Sequence, residues 1–219
     1  MKIAILGGTG AEGFGLGYRW AASGHEIIIG SRKADKGARS AAELQQHLPE
    51  ASISGTDNLS AALTAEVVVL SVPYAAQEAT LTAVREALAD KLLITVVAPL
   101  GPKKARAWTP PSGLSAAEEA QQQVGPTTRV VAAFQNIGAH HLTDLDHVIE
   151  SDVLVCGDRK EDKDIVLQLC AAAGMTGINA GPLQNARVPE QITAMLISIN
   201  IRYKVKSAGI RITGLPRDK

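Results

Sequence analysis

Ile3-Ala4-Ile5-Leu6-Gly7-Gly8-Thr9-Gly10-Ala11-Glu12-Gly13 is an apolar run that gives way to glycines and then to a helix-like stretch. Gly8, Gly10 and Gly13 satisfy GxGxxG, in which the first glycine allows a tight turn and the second removes a Cβ from the path of a phosphate. The third lets helix pack closely on strand. The following helix would aim its N-terminal N–H groups at the anion. The segment therefore predicts the opening of a dinucleotide-binding α/β unit.

Outward from this segment, short β-branched runs alternate with helical stretches, the signature of βαβ units building a parallel sheet. Strands are expected at Lys2–Leu6, Glu26–Gly30, Ser52–Ser54, Val67–Val72, Leu92–Val97 and Arg129–Phe134. Helices are expected at Phe14–Ser23, Ala34–His47, Leu59–Ala65, Ala75–Ala89 and Ser115–Gln123. A further strand, helix and strand at Asp152–Cys156, Lys160–Ala173 and Gly177–Ala180 should extend the same sheet. The expected fold is a Rossmann-type, doubly wound, mostly parallel sheet with helices on both faces and a small C-terminal helical segment. Residues 1–183 would form the nucleotide-binding domain and residues 184–219 the appended segment. In the latter, Ile192, Met195, Leu196, Ile199 and Tyr203 recur at helical spacing, so this helix needs a partner surface and predicts a homo-oligomer, with a homodimer the simplest case.

The 219 residues and 46% hydrophobic content fit a single globular core. Lysine plus arginine equals aspartate plus glutamate at 22 each, so no overall field draws the chain to nucleic acid or to an anionic membrane. Apolar runs fall short of the roughly 20 residues that span a bilayer, and no secretory signal is legible. Cys156 and Cys170 lack CxxC spacing and suit a reducing compartment, so a cytoplasmic location is expected.

At the end of the second strand, where NAD-binding folds place an acidic residue on the ribose, this chain reads Gly30-Ser31-Arg32-Lys33. Without a carboxylate a 2′-phosphate meets no repulsion, Ser31 can donate to it and Arg32 can clamp it. Lys36 lies one turn further on. The expected cofactor is NADP(H).

Usual carbonyl chemistry lacks its acid. Tyr18, Tyr74 and Tyr203 are followed four residues later by Ala22, Glu78 and Ser207, so there is no YxxxK pair, and Gly181 to Ile201 contains no lysine. Hydride exchange with an acceptor that needs little proton help, such as a flavin-like ring, remains.

Gly7-Gly8-Thr9-Gly10, Gly24-His25-Glu26, Gly30-Ser31-Arg32, Val72-Pro73 followed by an aromatic, Ala180-Gly181-Pro182-Leu183-Gln184-Asn185-Ala186-Arg187 and Ala208 to Leu215 together resemble the coenzyme F420-dependent NADP reductase family. The resemblance implies reversible hydride transfer between NADP(H) and the 8-hydroxy-5-deazaflavin F420. By the same resemblance Thr9, Gly10, Ala11 and Glu12 would offer backbone groups to the pyrophosphate. Tyr74, Ala98 and Ala139 would flank the nicotinamide end. Gln135, Asn136, Ile137, Arg187, Gln191 and Thr193 would line the acceptor pocket. A histidine is common in the family where Gln135 stands, and a proline occurs at Gly138. For Arg187 an interhelical role stands beside the acceptor role, and for Thr193 a bond to its own helix backbone. No residue is expected as a catalytic acid or base. Reduction of another flavin, a quinone or a ferric chelate is the alternative enzyme reading, and an NADP(H)-binding sensor without turnover is the third.

Two further features stay open. The proline-rich connection from Ala98 to Leu114, with Lys103, Lys104 and Arg106, is either a functional loop or a surface one. His140, His141, Asp144, Asp146 and His147 cluster within eight residues, but their spacing matches no standard motif, and a polar loop without metal is expected.

Overall fold

The computed structural model describes residues 1–103 and 105–215; Lys104 of the basic group lies outside the described residues. Strands β1 (Lys2–Leu6), β2 (Glu26–Ser31), β3 (Ile53–Asp57), β4 (Val67–Leu70), β5 (Leu92–Thr95), β6 (Arg129–Ala132), β7 (Val153–Gly157) and β8 (Gly177–Asn179) form one sheet in the order β3-β2-β1-β4-β5-β6-β7-β8. Helices α1 (Ala11–Ala22), α2 (Ala34–His47), α3 (Asn58–Thr64), α4 (Tyr74–Val84), α5 (Ala116–Val124), α6 (Lys160–Ala172) and α7 (Arg187–Tyr203) cover it. This is the doubly wound arrangement, with the order reversing between β1 and β4.

The inner strands are apolar on both faces because both faces are covered, whereas edge strand β3 (Ile53–Asp57) carries Ser54, Thr56 and Asp57. Ile3 and Ile5 join Leu16, Trp20, Ile27 and Ile29 on one side, while Ala4 and Leu6 join Val68, Leu70 and Leu81 on the other. Trp20 ties α1 to α6 by donating from Nε1 to Leu169 O at 2.8 Å, and its ring meets Phe134 edge-on.

β4, β5 and β6 stop two residues short of the sequence expectation, at Leu70, Thr95 and Ala132. Beyond these points one further ladder bond forms each time, from Ser71 N to Leu6 O, Val96 N to Leu70 O and Ala133 N to Thr95 O. The strands then splay, Phe134 adopting a left-handed φ of 73°. That splaying opens the crevice at the carboxyl ends where doubly wound sheets bind ligands. β7 extends the sheet as expected but runs antiparallel to β6. The reason is the connection: residues 133–152 hold only the short 3-10 turn Ala139–His141, so no crossover helix returns the chain to a parallel start.

Arg19 organises that connection. It is 5% exposed and donates from Nε to Leu142 O (3.0 Å) and from Nη1 to Ala173 O (3.0 Å). From Nη2 it donates to the carbonyls of His141 (3.0 Å), Asp144 (2.6 Å) and His147 (3.3 Å). Each buried acceptor left without a donor costs about 1–3 kcal/mol. Arg19→Met is therefore expected to lower unfolding free energy by about 3 kcal/mol or more in a urea titration, far beyond a surface change.

Candidate functional site

Three loops meet at the switch point. Gly7 needs its left-handed φ of 73°, and a Cβ on it would sit 2.5 Å from Ser71 O, so the β1–α1 and β4–α4 loops touch. Asn58 Oδ1 accepts Gly7 N–H at 3.3 Å and closes the third side. Gly8 is packed from beneath, its notional Cβ 2.8 Å from Ile5 O. Gly13 is equally constrained, at 2.9 Å from both Gly8 Cα and Ser71 Oγ.

Gly10 is different. It caps α1 in an ordinary extended conformation, φ −80° and ψ 155°, and a Cβ there would meet nothing closer than Gly7 O at 3.5 Å. Nothing within the chain requires a glycine at this position; the space is open to the outside. No side chain caps α1, which leaves its first-turn N–H groups aimed at the same space. Glu12, in that first turn, has a buried Oε1 without a hydrogen-bond partner. Burial pushes its pKa well above the ordinary carboxylate range, which favours the neutral form and keeps a second anion away from a phosphate.

Around this cradle lie three hollows. Thr9, Ala11 and Ala139 line one of about 500 Å³. Ser31 and Arg32 line a second, of about 440 Å³, with Asn58, Ala76, Thr80 and Asp57, whose carboxylate is turned to Ser60 N–H (2.9 Å) and Oγ (2.7 Å) at the start of α3. Ser31 is buried and Arg32 exposed, whereas Lys36 stands exposed on the first turn of α2. The third, about 220 Å³, brings Arg187 and Gln191 against Pro99, Trp108 and Thr109.

Beside the third hollow the side chains are already engaged. Pro73 stands exposed at the N-cap of α4 and Val72 packs on the core beneath Gly7. Tyr74 OH donates to Glu119 Oε2 at 2.7 Å, and its ring meets Trp108 edge-on. Burial, then Glu119, holds the Tyr74 pKa above its ordinary value, so this phenol stays protonated and is a weaker acid than an ordinary tyrosine. Arg187 makes a bidentate pair with Glu118, both contacts 2.7 Å, and Gln191 donates to Thr109 Oγ1 at 3.1 Å. Thr193 donates to Gln135 O (2.7 Å) and, within its helix, lies 3.1 Å from Pro189 O. Arg187 thus has its interhelical role, and Thr193 ties α7 to the β6–β7 connection.

Gln135, Asn136 and Ile137 are buried at 3%, 2% and 4% exposure. Gln135 Nε2 donates inward to Thr95 O, leaving its second N–H, whereas Asn136 Nδ2 donates to Asp152 O and, at 3.4 Å, to Ser151 Oγ. Their Oε1 and Oδ1 are buried and unpartnered. Ala98, half-buried, follows β5 into the proline-rich connection. Neither cysteine suits catalysis, since burial raises both thiols, Cys156 to about 11.

Sequence reasoning missed the groups that fasten α7. Glu190, 1% exposed, accepts from Ala116 N (2.7 Å) and Ala117 N (3.0 Å), capping α5 beside the Ser115–Glu118 capping box. The signal was present in Ser115-x-x-Glu118, which is a helix-start pattern; its link to Glu190 was not. Burial lifts the Glu190 pKa to about 8. A carboxyl whose pKa is raised on folding stabilises fully below its unfolded pKa, and that contribution is lost as pH rises toward the folded value. Stability should therefore fall between about pH 4.5 and pH 8. Glu190→Gln should flatten that fall and cost about 1–3 kcal/mol at pH 5 by orphaning one N–H. Thermal melts across the window check both.

The Gly181–Arg187 segment is a compact turn: Gly181 has φ 94°, Asn185 Nδ2 donates to Ala180 O at 2.7 Å, and Leu183 N–H donates to Asp158 Oδ1 at 2.9 Å. Among the described residues no helix is long and apolar enough to cross a membrane.

Comparison with known proteins agrees with this geometry. A family profile described as "NADP oxidoreductase coenzyme F420-dependent" matches residues 2–99. An F420-dependent NADP reductase of Methanocaldococcus jannaschii is 44% identical over 224 residues, covering 98% of this chain and 99% of its own. One of Methanothermobacter thermautotrophicus is 39% identical, covering 100% and 97%. A crystal structure from Arthrobacter sp. FB24, named as a candidate F420-dependent NADP reductase, superposes with a TM-score of 0.79 at 26% identity, covering 97% and 99%. This chain belongs to the F420-dependent NADP reductase family.

Proposed function

We propose that the chain transfers a hydride reversibly between NADP(H) and coenzyme F420. The observation that carries the nucleotide half is Gly10: a glycine that neither conformation nor packing explains, at an uncapped helix N-terminus. The acceptor half rests on family membership. NADPH supplies a hydride from nicotinamide C4 and the deazaflavin takes it at C5. The chain's own residues bind and orient. Thr9, Gly10, Ala11 and Glu12 hold the pyrophosphate by backbone groups, with Gly8 and Gly13 shaping the loop. Ser31, Arg32 and Lys36 take the 2′-phosphate, and Val72, Pro73, Tyr74, Ala98 and Ala139 flank the nicotinamide end. Arg187, Gln191 and Thr193, with the Gln135–Ile137 backbone, border the acceptor. The hydride to C5 is balanced by a proton that the ring's N1 takes from solvent, with no side-chain acid or base assigned, and holding two rings with reacting carbons about 3–3.5 Å apart can supply much of the acceleration.

Mixing the protein with NADPH and F420, FMN or a ferric chelate in turn, while following acceptor absorbance, tests the assignment. Bleaching confined to F420 is expected. Turnover of FMN or chelate alone favours the broader reductase, and tight NADPH binding with no turnover favours a sensor.

Residues 1–183 are proposed as the nucleotide-binding domain and 184–219 as an appended segment serving the acceptor site and subunit contact. Val188, Met195, Ile201 and Tyr203 stand 59%, 49%, 67% and 70% exposed on α7, which supports a homodimer through this helix. Size-exclusion chromatography of Met195→Glu with Ile201→Glu should show a monomer where the parent elutes as a dimer. A cytoplasmic location is part of the same proposal, supported by two unpaired buried cysteines.

A further inference from the structure

We propose that His141, Asp144 and His147 form a divalent-metal site that binds one Zn²⁺ and clips the β6–β7 connection. Spacing alone gave no such expectation. The fold supplies it, because successive turns place the three residues on one side: Asp144 N–H donates to His141 O at 3.2 Å and His147 N–H donates to Asp144 O at 3.3 Å. Their ligand atoms all lie within 4.8 Å of one another. The rings of His141 and His147 stack at 3.7 Å with planes 13° apart, so holding one ion between them requires the His147 ring to turn about its side-chain torsions until both nitrogens converge.

The backbone beneath is unusually fixed. A single nitrogen, Arg19 Nη2, shares its two N–H groups among the carbonyls of all three residues, His141, Asp144 and His147. A buried guanidinium anchored in α1 therefore fixes the backbone from which the three side chains project, so that only side-chain rotation is left to complete a metal site. The carboxylate is oriented as well, since Asp146 N–H donates to Asp144 Oδ1 at 3.2 Å.

Two imidazole nitrogens and one carboxylate oxygen suit Zn²⁺, which binds three such ligands and keeps a fourth position for water. His141 and His147 also line a cavity of about 680 Å³ with Asp146, Glu150 and Arg211, so solvent reaches the cluster. The 133–152 connection also carries Ala139, proposed at the nicotinamide end. The ion would hold that connection in place and take no part in hydride transfer.

Titrating the full chain with Co²⁺ should give one equivalent bound, with the intense ligand-field bands of low coordination, displaced by Zn²⁺. His147→Gln and Asp144→Asn should each weaken binding about tenfold to a hundredfold or more while NADPH fluorescence titrations stay at the parent value. Saturating Zn²⁺, at about a hundredfold over its Kd, should raise the parent Tm by about 5–10 °C and raise that of either variant by about half as much or less. A measurement needing no variant is carbethoxylation mapped by mass spectrometry: Zn²⁺ should protect His141 and His147 but not His25. Absence of stoichiometric Co²⁺ binding, binding that survives both substitutions, or equal labelling with and without Zn²⁺ overturns the proposal.

Discussion

Gly10→Val is expected to abolish NADPH binding while leaving the fold standing. The added Cβ would meet only Gly7 O at 3.5 Å, an ordinary contact, and φ −80° with ψ 155° is a conformation any residue adopts. Exchanging glycine for valine at an N-cap costs no more than about 1 kcal/mol. Outside the chain the branched side chain fills the space that a pyrophosphate would approach, so affinity should fall more than about a hundredfold, the scale of several lost backbone–phosphate bonds. Gly13→Val supplies the contrast, because its Cβ would stand 2.9 Å from Gly8 Cα and from Ser71 Oγ. That variant should lose several degrees of Tm as well as binding. Fluorescence titration with NADPH beside a thermal melt separates the two. A Gly10→Val chain that binds NADPH normally would remove the cradle from the account.

Arg32→Asp is the second large effect, and it acts on preference rather than on binding as such. Arg32 is exposed beside buried Ser31, and both line the hollow shared with Asp57, Asn58, Ala76 and Thr80. A charge-assisted hydrogen bond contributes about 1.5–3 kcal/mol, so its loss alone weakens NADPH about tenfold to a hundredfold. The new carboxylate also repels a 2′-phosphate and can accept from a ribose 2′-OH, so NADH should gain. The ratio of kcat/KM for NADPH over NADH should drop by about a hundredfold or more. An unchanged ratio means the 2′-phosphate sits elsewhere.

What could be read in the chain was what adjacent residues encode together. Gly7 to Gly13 announced the β1 turn and α1, since a glycine motif and an apolar run are both local patterns. Ser31-Arg32 was legible for the same reason. The boundaries of β4, β5 and β6 were not, because Val72, Val97 and Phe134 remain apolar after the strands have splayed. The antiparallel β7 was hidden in a connection whose residues carry no periodicity. Arg19 looked like a polar position on α1; its acceptors lie 122 to 154 residues away in the chain. Glu190 likewise finds its partners more than seventy positions upstream, 74 residues away at Ala116. For Gln135 the resemblance implied a place in the acceptor pocket, whereas the fold buries its side chain and turns one amide N–H onto Thr95 O. Composition could place these side chains near a crevice but could not say which way they turn.

Direct hydride transfer between the two cofactors has an isotopic signature. NADPH deuterated at C4 on each face in turn should be incubated with the protein and F420 in ordinary water, and the reduced deazaflavin weighed by mass spectrometry. The account predicts that one of the two labelled forms delivers its deuterium to F420, about one atom per molecule reduced, with none washed out to solvent. Reduced F420 without deuterium from either form, or no reduction at all, would contradict it.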